Sequence, residues 1–256
     1  MTGEQQVDGE RGTVALDCDD LDVDAVDVVW HRPVAGDSGR CGVILAHGAG
    51  GTLDDPGLVA LAGTIAAAGH VAVRCNMPYR QRRPKGPPPR AERGLGEFAV
   101  VVAAIAAATP DVSDWVIGGK SYGGRLATMI AADVQGTDRL VDASAIPVPV
   151  GVMCYSYPLH APGKPDRVRV DHWDALSVPV LFLQGTNDPF GGPDEVSPHL
   201  TLLEAPATVV PVAGADHSLK VPRTRSADGA THAPADVIAG LAVAITSWLA
   251  TVADRG

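Results

Sequence analysis

Residues 114–124 read DWVIGGKSYGG, and this stretch decides the fold. Its first part, DWVIGG, is a short apolar run that is typical of a buried strand. The residues that follow, 122–135, have the apolar spacing of an amphipathic helix. Ser121 therefore lies at a sharp turn from a strand into a helix, with Gly119 and Gly123 two positions away on either side.

The stretch also contains Gly-Lys-Ser at 119–121, which is how a phosphate-binding loop ends. That motif requires a glycine at position 114, where this chain has Asp114, and residues 115–117 belong to a strand rather than to a curling loop. The stretch instead fits Gly-x-Ser-x-Gly, the elbow that presents a nucleophilic serine. Lys120 then has two interpretations. It pairs with a carboxylate and braces the turn, which we favour, or it adds a charge to a basic surface.

A regular alternation of strands and helices begins near residue 41. Because strands that alternate with helices pair in parallel, the chain is predicted to form an α/β fold with a mostly parallel central sheet and helices on both faces. Before residue 41, segments 12–18 and 26–33 alternate with period 2 and predict an antiparallel hairpin at the sheet edge. The predicted strands are 41–47, 70–77, 114–119, 148–156, 178–185 and 207–214, and the predicted helices are 56–69, 92–108, 122–135, 193–204 and 234–252.

Two loops are rich in proline. Proline removes a hydrogen-bond donor and fixes φ, so residues 79–90 are predicted to be neither helix nor strand. The segment 158–170 is too short for a large lid, which favours a minimal lid and a short acyl group. Ligands bind at the carboxyl ends of the strands in such sheets, so the loops after these strands should share one face.

The composition fits a single domain. The chain has 256 residues, 46% of them apolar, which is enough for one core over 13–256 after a poorly ordered N-terminus at 1–12. Nine acids in residues 1–27 account for most of the net charge of −10, so the charge says little about partners. The four cysteines form no Cys-x-x-Cys pair, and we expect no metal site and no cofactor. No secretory signal or membrane span is visible, so we expect a cytoplasmic protein that binds neither membrane nor nucleic acid.

A serine nucleophile needs a base, and the base needs an acid that orients it. In this fold the three residues follow one another in the order Ser, acid, His. Asp188, in QGTNDPF, and His217, in VAGADHSL, each follow a predicted strand in that order. Asp194 and Asp216 are the alternatives to Asp188. Asp216 is disfavoured because an adjacent residue does not easily fold back onto its own histidine ring.

The charge that develops on a reacting carbonyl oxygen also needs hydrogen-bond donors. The backbone N–H of Tyr122 is the first candidate. The second is Ala49, with Gly50 as the alternative, in the glycine-rich loop HGAGG at 47–51. The nearby loops provide candidate substrate contacts, and His160 is a surface residue if it does not contact substrate. These candidates are Gly48, Gly50, Tyr79, Arg80 and His160.

Taken together, LAHGAGG, GGKSYGGR, YPLHAPGKP, QGTNDPFG and GADHS resemble α/β-hydrolase-fold proteins. The resemblance spans roughly residues 41–250. It is to the branch that includes the testis-expressed hydrolase-like protein and a subunit of the nonspecific-lethal chromatin complex, which is related to dienelactone hydrolases. It implies a serine-hydrolase triad at Ser121, Asp188 and His217, and no defined substrate.

Thirteen of the 20 lysines and arginines lie in loops of the expected active face or at Lys120. They favour an anionic substrate, because a cleft of one charge attracts the opposite charge. The alternative is that they are scattered, solvated and partly paired with the acidic N-terminus. We therefore expect a serine hydrolase that cleaves an ester or thioester of a small acyl group through an acyl-enzyme. The alternative function is a catalytically idle binding or scaffold protein.

Overall fold

The computed structural model describes residues 9–33, 41–132 and 145–253. Within these ranges one sheet has the strand order β1-β2-β4-β3-β5-β6-β7-β8. Strands β3 to β8 pair in parallel, whereas β2 pairs antiparallel with β1 and β4, which confirms the predicted sheet and its edge hairpin. The strands are β1 (Glu10–Ala15), β2 (Ala25–His31), β3 (Cys41–Ala46), β4 (Val71–Cys75), β5 (Asp114–Lys120), β6 (Pro149–Tyr155), β7 (Val180–Gly185) and β8 (Ala207–Val212).

Helices connect the parallel strands. The α-helices of the described residues are α1 (Pro56–Ala67), α2 (Pro78–Arg82), α3 (Ala91–Ala107), α4 (Tyr122–Ala132), α5 (Pro193–Val196), α6 (Pro234–Gly240) and α7 (Ala242–Ala253). Short 3-10 helices cover Trp173–Ala175, Ser197–Leu202 and Arg223–Arg225. The predicted end of α4 at 133–135 lies outside the described residues. So do residues 1–8 of the N-terminus that we expected to be poorly ordered, whereas β1 already begins at Glu10.

The structure corrects two of the predicted elements in the loops. The segment 79–90 was predicted to contain no helix, but α2 begins at Pro78, where a proline fits the first helical position and its missing N–H costs nothing. The helix predicted over 193–204 ends as an α-helix at Val196 and continues as a 3-10 helix. Pro198 lacks the N–H that would continue the α-helical hydrogen bonds, so the regular helix stops there.

The predicted terminal helix 234–252 is two helices. α6 and α7 are separated at Leu241 and bent by 59°. Gly240 weakens the helix at this point, and each half then packs on its own surface. No single helix of the described residues is long and apolar enough to cross a membrane, although the bent pair would pass by length and composition. In the fold, α7 buries Ile245, Trp248, Leu249 and Val252.

The core lies on both faces of the sheet. Successive side chains of a strand point to opposite faces, so the buried central strands contribute to two apolar clusters. One face packs against α3 and α4 and includes Ile44, Ile117, Val152 and Phe182. The other packs against α1 and α7 and includes Val43, Val116, Met153 and Leu181. Helices therefore cover both faces, as the alternation predicts.

The carboxyl ends of the central strands meet at one edge. Ala46 at the end of β3 pairs with Gly119 of β5, and Gly119 pairs with Cys154 of β6. Tyr155, in turn, pairs with Leu183 of β7. This register brings the loops after β3, β5, β6 and β7 to one face of the molecule.

Candidate active site

Ser121 forms a strained turn between β5 and α4. Its φ angle is +50°, a region that residues other than glycine rarely adopt. Two backbone hydrogen bonds hold it there. The Ser121 N–H donates to the Tyr155 carbonyl at 2.8 Å, and the Arg125 N–H donates to the Ser121 carbonyl at 2.9 Å. The serine is therefore fixed to β6 on one side and to the first turn of α4 on the other.

The two motif glycines let this turn lie against the end of β3. A Cβ atom on Gly119 would collide with the Ala46 carbonyl oxygen, and one on Gly123 would lie 2.6 Å from the same atom. Gly119 also has φ +152°. The Gly-x-Ser-x-Gly motif places these glycines on either side of the serine turn. The structure shows in addition that they are needed for contact with a neighbouring strand.

A chain of hydrogen bonds joins Ser121, His217 and Asp188. The Ser121 hydroxyl lies 2.8 Å from Nε2 of His217, and Nδ1 of His217 lies 2.7 Å from Oδ2 of Asp188. A carboxylate accepts hydrogen bonds, so Nδ1 carries the proton and Nε2 is free to accept from the serine. This is the tautomer that a general base needs.

The Asp188 carboxylate is wholly buried and accepts two further hydrogen bonds. The Phe190 N–H donates to Oδ1 at 2.8 Å, and Nε2 of Gln184 donates to Oδ2 at 3.1 Å. The Phe190 ring stacks on His217 with centroids 4.1 Å apart. These contacts fix both the acid and the plane of the imidazole.

Neither of the two alternative acids contacts His217. The Asp216 carboxylate accepts the N–H groups of Ser218 and Lys220 at 2.8 and 3.1 Å, and so closes the turn that carries His217. Asp194 is exposed in the first turn of α5. Among the described carboxylates, Asp188 is the one that contacts His217.

The glycine-rich loop after β3 is anchored through its carbonyl groups. The Gly48 carbonyl accepts from Nδ1 of His47 at 2.7 Å and from the Gly51 N–H at 3.0 Å. In a trans peptide the N–H points opposite to the C=O, so these bonds set the direction of the Ala49 N–H. Gly48 also packs against the elbow, since a Cβ there would lie 3.6 Å from Cβ of Ser121.

His47 is a structural part of this loop. Its Nε2 accepts the Met77 N–H at 3.1 Å, so its proton lies on Nδ1, which donates to Gly48. Burial, together with the charge of Arg80, lowers the pKa of His47 to about 4. The ring is therefore neutral at physiological pH and serves to hold the loop.

Three of the predicted substrate contacts have buried side chains that hold loops. The Tyr79 hydroxyl and Nη2 of Arg80 both donate to the Ala49 carbonyl, at 3.0 and 2.8 Å. His160 donates its backbone N–H to Phe190 at 3.0 Å, and its Nε2 lies 3.0 Å from Glu195. Tyr79 and Arg80 thus fix the next peptide of the glycine-rich loop, which carries the Gly50 N–H. His160 supports the loop of Asp188. A direct contact of these side chains with substrate stays a prediction.

Lys120 pairs with a carboxylate, as the favoured interpretation predicts. Its Nζ lies 2.6 Å from Oδ2 of Asp55 and 5.2 Å from the centre of the Tyr155 ring. The Tyr155 hydroxyl donates to the Ser218 carbonyl at 2.6 Å. This set of residues connects the elbow, the start of α1 and the turn that follows His217.

Sequence reasoning missed Asp55, Tyr155, Gln184 and Phe190. Asp55 precedes a proline at a helix start, which is the signature of a helix cap. Gln184 is a polar residue at the end of a buried strand, which often indicates a buried hydrogen-bond network. The roles of Tyr155 and Phe190 depend on contacts that no local pattern shows. Within the described ranges, no three His, Cys, Asp or Glu side chains are grouped to hold a metal ion.

Comparison with known proteins now decides the family. Residues 39–250 match the alpha/beta hydrolase domain family. The chain belongs to the α/β-hydrolase family. Its eight-stranded sheet with an antiparallel edge hairpin has the fold of that family.

Solved structures of other α/β hydrolases are similar over nearly their whole length. A serine hydrolase homologue from Coxiella burnetii has a TM-score of 0.65 at 17% identity, covering 93% of this chain and 97% of that chain. Dienelactone hydrolase from Anabaena variabilis has a TM-score of 0.63 at 14% identity, covering 94% and 97%. A serine hydrolase without lid from Xanthomonas campestris has a TM-score of 0.60 at 18% identity, covering 96% and 94%. At these identities the likeness shows the fold of this α/β hydrolase.

Proposed function

We propose that this α/β hydrolase is a serine hydrolase that cleaves a carboxylic ester or thioester of a small acyl group through an acyl-enzyme. The observation that carries the proposal is the hydrogen-bonded chain from Ser121 through His217 to Asp188. A protein that only binds a partner does not need a serine, a histidine and a buried carboxylate joined by hydrogen bonds in this order.

The first half of the reaction acylates Ser121. As Oγ attacks the carbonyl carbon, Nε2 of His217 takes the hydroxyl proton, and Asp188 stabilises the resulting imidazolium. The carbonyl oxygen gains negative charge and accepts from the N–H groups of Tyr122 and Ala49. Tyr122 is the first residue of α4, where N–H groups lack a partner within the helix. The carbon–oxygen or carbon–sulfur bond then breaks, and the leaving alcohol or thiol takes the proton from His217.

The second half of the reaction releases the acyl group. Water gives a proton to His217 and attacks the ester carbonyl of the acyl-enzyme. The tetrahedral intermediate breaks its bond to Oγ of Ser121, which recovers its proton from His217. Each oxyanion donor typically contributes about 3–4 kcal/mol to stabilisation of the transition state.

Several further features belong to the proposal. The segment 158–172 after β6 contains neither helix nor strand, which supports a small acyl group, and one structural neighbour is a serine hydrolase without lid. All four cysteines are free thiols, which supports a cytoplasmic location. The motifs YPLHAPGKP and QGTNDPFG support the narrower resemblance to testis-expressed hydrolase-like proteins. The partner is then a small molecule rather than a membrane or a nucleic acid.

A fluorophosphonate probe tests the serine directly. We expect the probe to label the wild-type protein and not Ser121→Ala, with both proteins showing the same unfolding midpoint. Hydrolysis of p-nitrophenyl esters of increasing chain length, together with acyl-CoA thioesters, then measures the preferred acyl group. No labelling of folded wild-type protein would favour the alternative, a binding or scaffold protein on the same fold.

A further inference from the structure

Arg125 lies one helical turn after Ser121. Its N–H donates to the Ser121 carbonyl, so the two residues are on the same side of the start of α4. Side chains of a helix lean toward its N-terminus, and residues four apart have Cβ atoms about 5–6 Å from each other. The guanidinium of Arg125 therefore extends back toward the end of the helix that carries the serine.

The Arg125 guanidinium has no counterion in the described part of the chain. Its Nε atom is buried and makes no hydrogen bond. No described carboxylate lies within ion-pair distance of it. Buried donors in folded proteins are almost always hydrogen-bonded, so an exception beside a candidate nucleophile calls for an explanation.

A second half-buried guanidinium lies near the first. Arg169 lies in the loop after β6. Its backbone is fixed, because its N–H donates to the Leu159 carbonyl at 2.7 Å and its own carbonyl accepts the Tyr157 hydroxyl at 2.5 Å. Its Nη1 donates to the Pro158 carbonyl at 3.0 Å, and it too forms no ion pair with a described carboxylate. Burial lowers the pKa of Arg169, and the charge of Arg125 lowers it further.

His172 connects the loop after β6 to α4 through a hydrogen bond, and its imidazole carries no positive charge at neutral pH. Its Nε2 lies 2.8 Å from the Thr128 hydroxyl, which itself donates to the Arg125 carbonyl at 2.7 Å. Burial, followed by the charge of Arg125, lowers the pKa of His172 to about 4. The exposed carboxylates of Asp171 and Asp174 act on His172 and pair with neither arginine.

Several other bases of the active face are paired with a carboxylate. Arg82 and Arg93 both contact the buried Glu97, and Lys120 contacts Asp55. Arg125 was not among the thirteen bases singled out by the sequence, because it lies inside a helix rather than in a loop. Arg80 is also buried without an ion pair among the described residues, but its two Nη atoms donate to the carbonyls of Pro84 and Ala49. Arg125, which makes no such bond, and Arg169, in the loop that packs against α4, are therefore the described bases considered for binding an anion.

We propose that Arg125 and Arg169 form a subsite that binds an anionic oxygen group of the substrate, a carboxylate or a phosphate. The proposal rests on the serine-hydrolase function proposed above. Guanidinium groups bind such groups with paired, charge-assisted hydrogen bonds. An anion there would provide the missing acceptor for Arg125 and reduce the repulsion between the two cations. The subsite lies about one helical turn from Ser121. This distance suits an ester of a short acid whose far end is charged.

Matched esters test this subsite. The substrates are the mono-p-nitrophenyl ester of glutarate, an analogue that ends in a phosphonate, and p-nitrophenyl pentanoate, which is neutral. We expect wild type to prefer one of the charged esters. Arg125→Met and Arg169→Met should each lower the ratio of kcat/KM for that ester to kcat/KM for the neutral ester by about 10- to 100-fold, mainly through KM, as expected for loss of a charged hydrogen bond. The ester that responds shows whether the subsite takes carboxylate or phosphate.

Two further variants serve as controls for the loss of charge. Arg167→Met removes an exposed charge from the same loop and should leave the ratio unchanged. Arg125→Lys keeps the charge but loses the planar fork, so the ratio should fall by less than in Arg125→Met. An equal loss on charged and neutral esters, or no loss on either charged ester, overturns the subsite. The absence of both ester hydrolysis and fluorophosphonate labelling in wild type would instead contradict the proposed function.

Discussion

The ion pair of Lys120 and Asp55 supports the elbow, and Lys120→Met tests this directly. Methionine keeps most of the length of the side chain and removes only the ammonium group. The two side chains are 14% and 15% exposed, and their charged atoms are 2.6 Å apart. Their removal from water makes the loss of one partner costly, because the other charge then lies largely buried without a counterion.

The expected loss of stability depends on the burial of the ion pair and on the hydrogen bonds that Asp55 retains. Breaking a fully buried pair costs about 3–5 kcal/mol, whereas exposed pairs contribute about 0–1 kcal/mol. Oδ1 of Asp55 retains its bonds to the N–H groups of Gly57 and Leu58, at 3.0 and 3.3 Å. We therefore expect Lys120→Met to lower the free energy of unfolding by about 2–3 kcal/mol, because this near-buried pair leaves a partly satisfied carboxylate. For a chain of this size that corresponds to a decrease in Tm of roughly 4–12 °C.

The assay is urea unfolding and thermal melting of wild type, Lys120→Met, Asp55→Asn and the double variant. Asparagine keeps an oxygen that can cap α1 and removes the charge. Because the two residues are in contact, the double variant should lose less stability than the sum of the single changes. An unchanged Tm in Lys120→Met, combined with a loss of kcat/KM for an anionic ester alone, would refute the brace. Lys120 would then act by attracting the substrate.

Three further predictions follow from the site. Gly123→Ala should destabilise the fold or displace the elbow, because its new Cβ atom would lie 2.6 Å from the Ala46 carbonyl oxygen. Gly50→Ala is the control and should fold normally, because no atom lies within 4 Å of its new Cβ atom. Thermal melting compares the two variants. Asp188→Asn should keep the fold and lower kcat by roughly 10⁴, because the histidine loses its correct tautomer, and retained activity would place the acid elsewhere. The pKa values of His47 and His172 are lowered from 6.5 to about 4. The unfolded chain therefore binds protons that the folded chain excludes, and the free energy of unfolding should fall as pH decreases from 6.5 to 4, by up to about 1.4 kcal/mol per pH unit for each histidine. Urea unfolding across this window measures the slope, and a flat profile contradicts the assignment.

The sequence alone determined the class of fold and the members of the hydrogen-bonded chain. Apolar runs separated by helical periods indicate buried parallel strands because burial on both faces leaves no polar positions. The order of Ser121, Asp188 and His217, each after a predicted strand, was sufficient to expect them on one face, and the structure brings their side chains together. These inferences succeed because the burial of a strand and the residues of a turn are both evident in short stretches of sequence.

Other features were decided only by tertiary structure. The terminal helix was predicted as continuous but is bent at Leu241, since its halves pack against different neighbours. The hydrogen bonds from Tyr79 and Arg80 to the Ala49 carbonyl likewise join residues about 30 positions apart.

The partners of charged side chains could not be predicted from the sequence either, because they are set by the tertiary structure. Asp55 reaches Lys120 from 65 residues away, and Arg125 has no described counterion although acids are plentiful in the chain. Which charge finds a partner depends on the order of the strands in the sheet and on the length of each side chain. That order brings residues distant in sequence to one edge, and no local pattern specifies it. Periodicity therefore predicts the scaffold, whereas the balance of charge around Ser121 is set only when the sheet assembles.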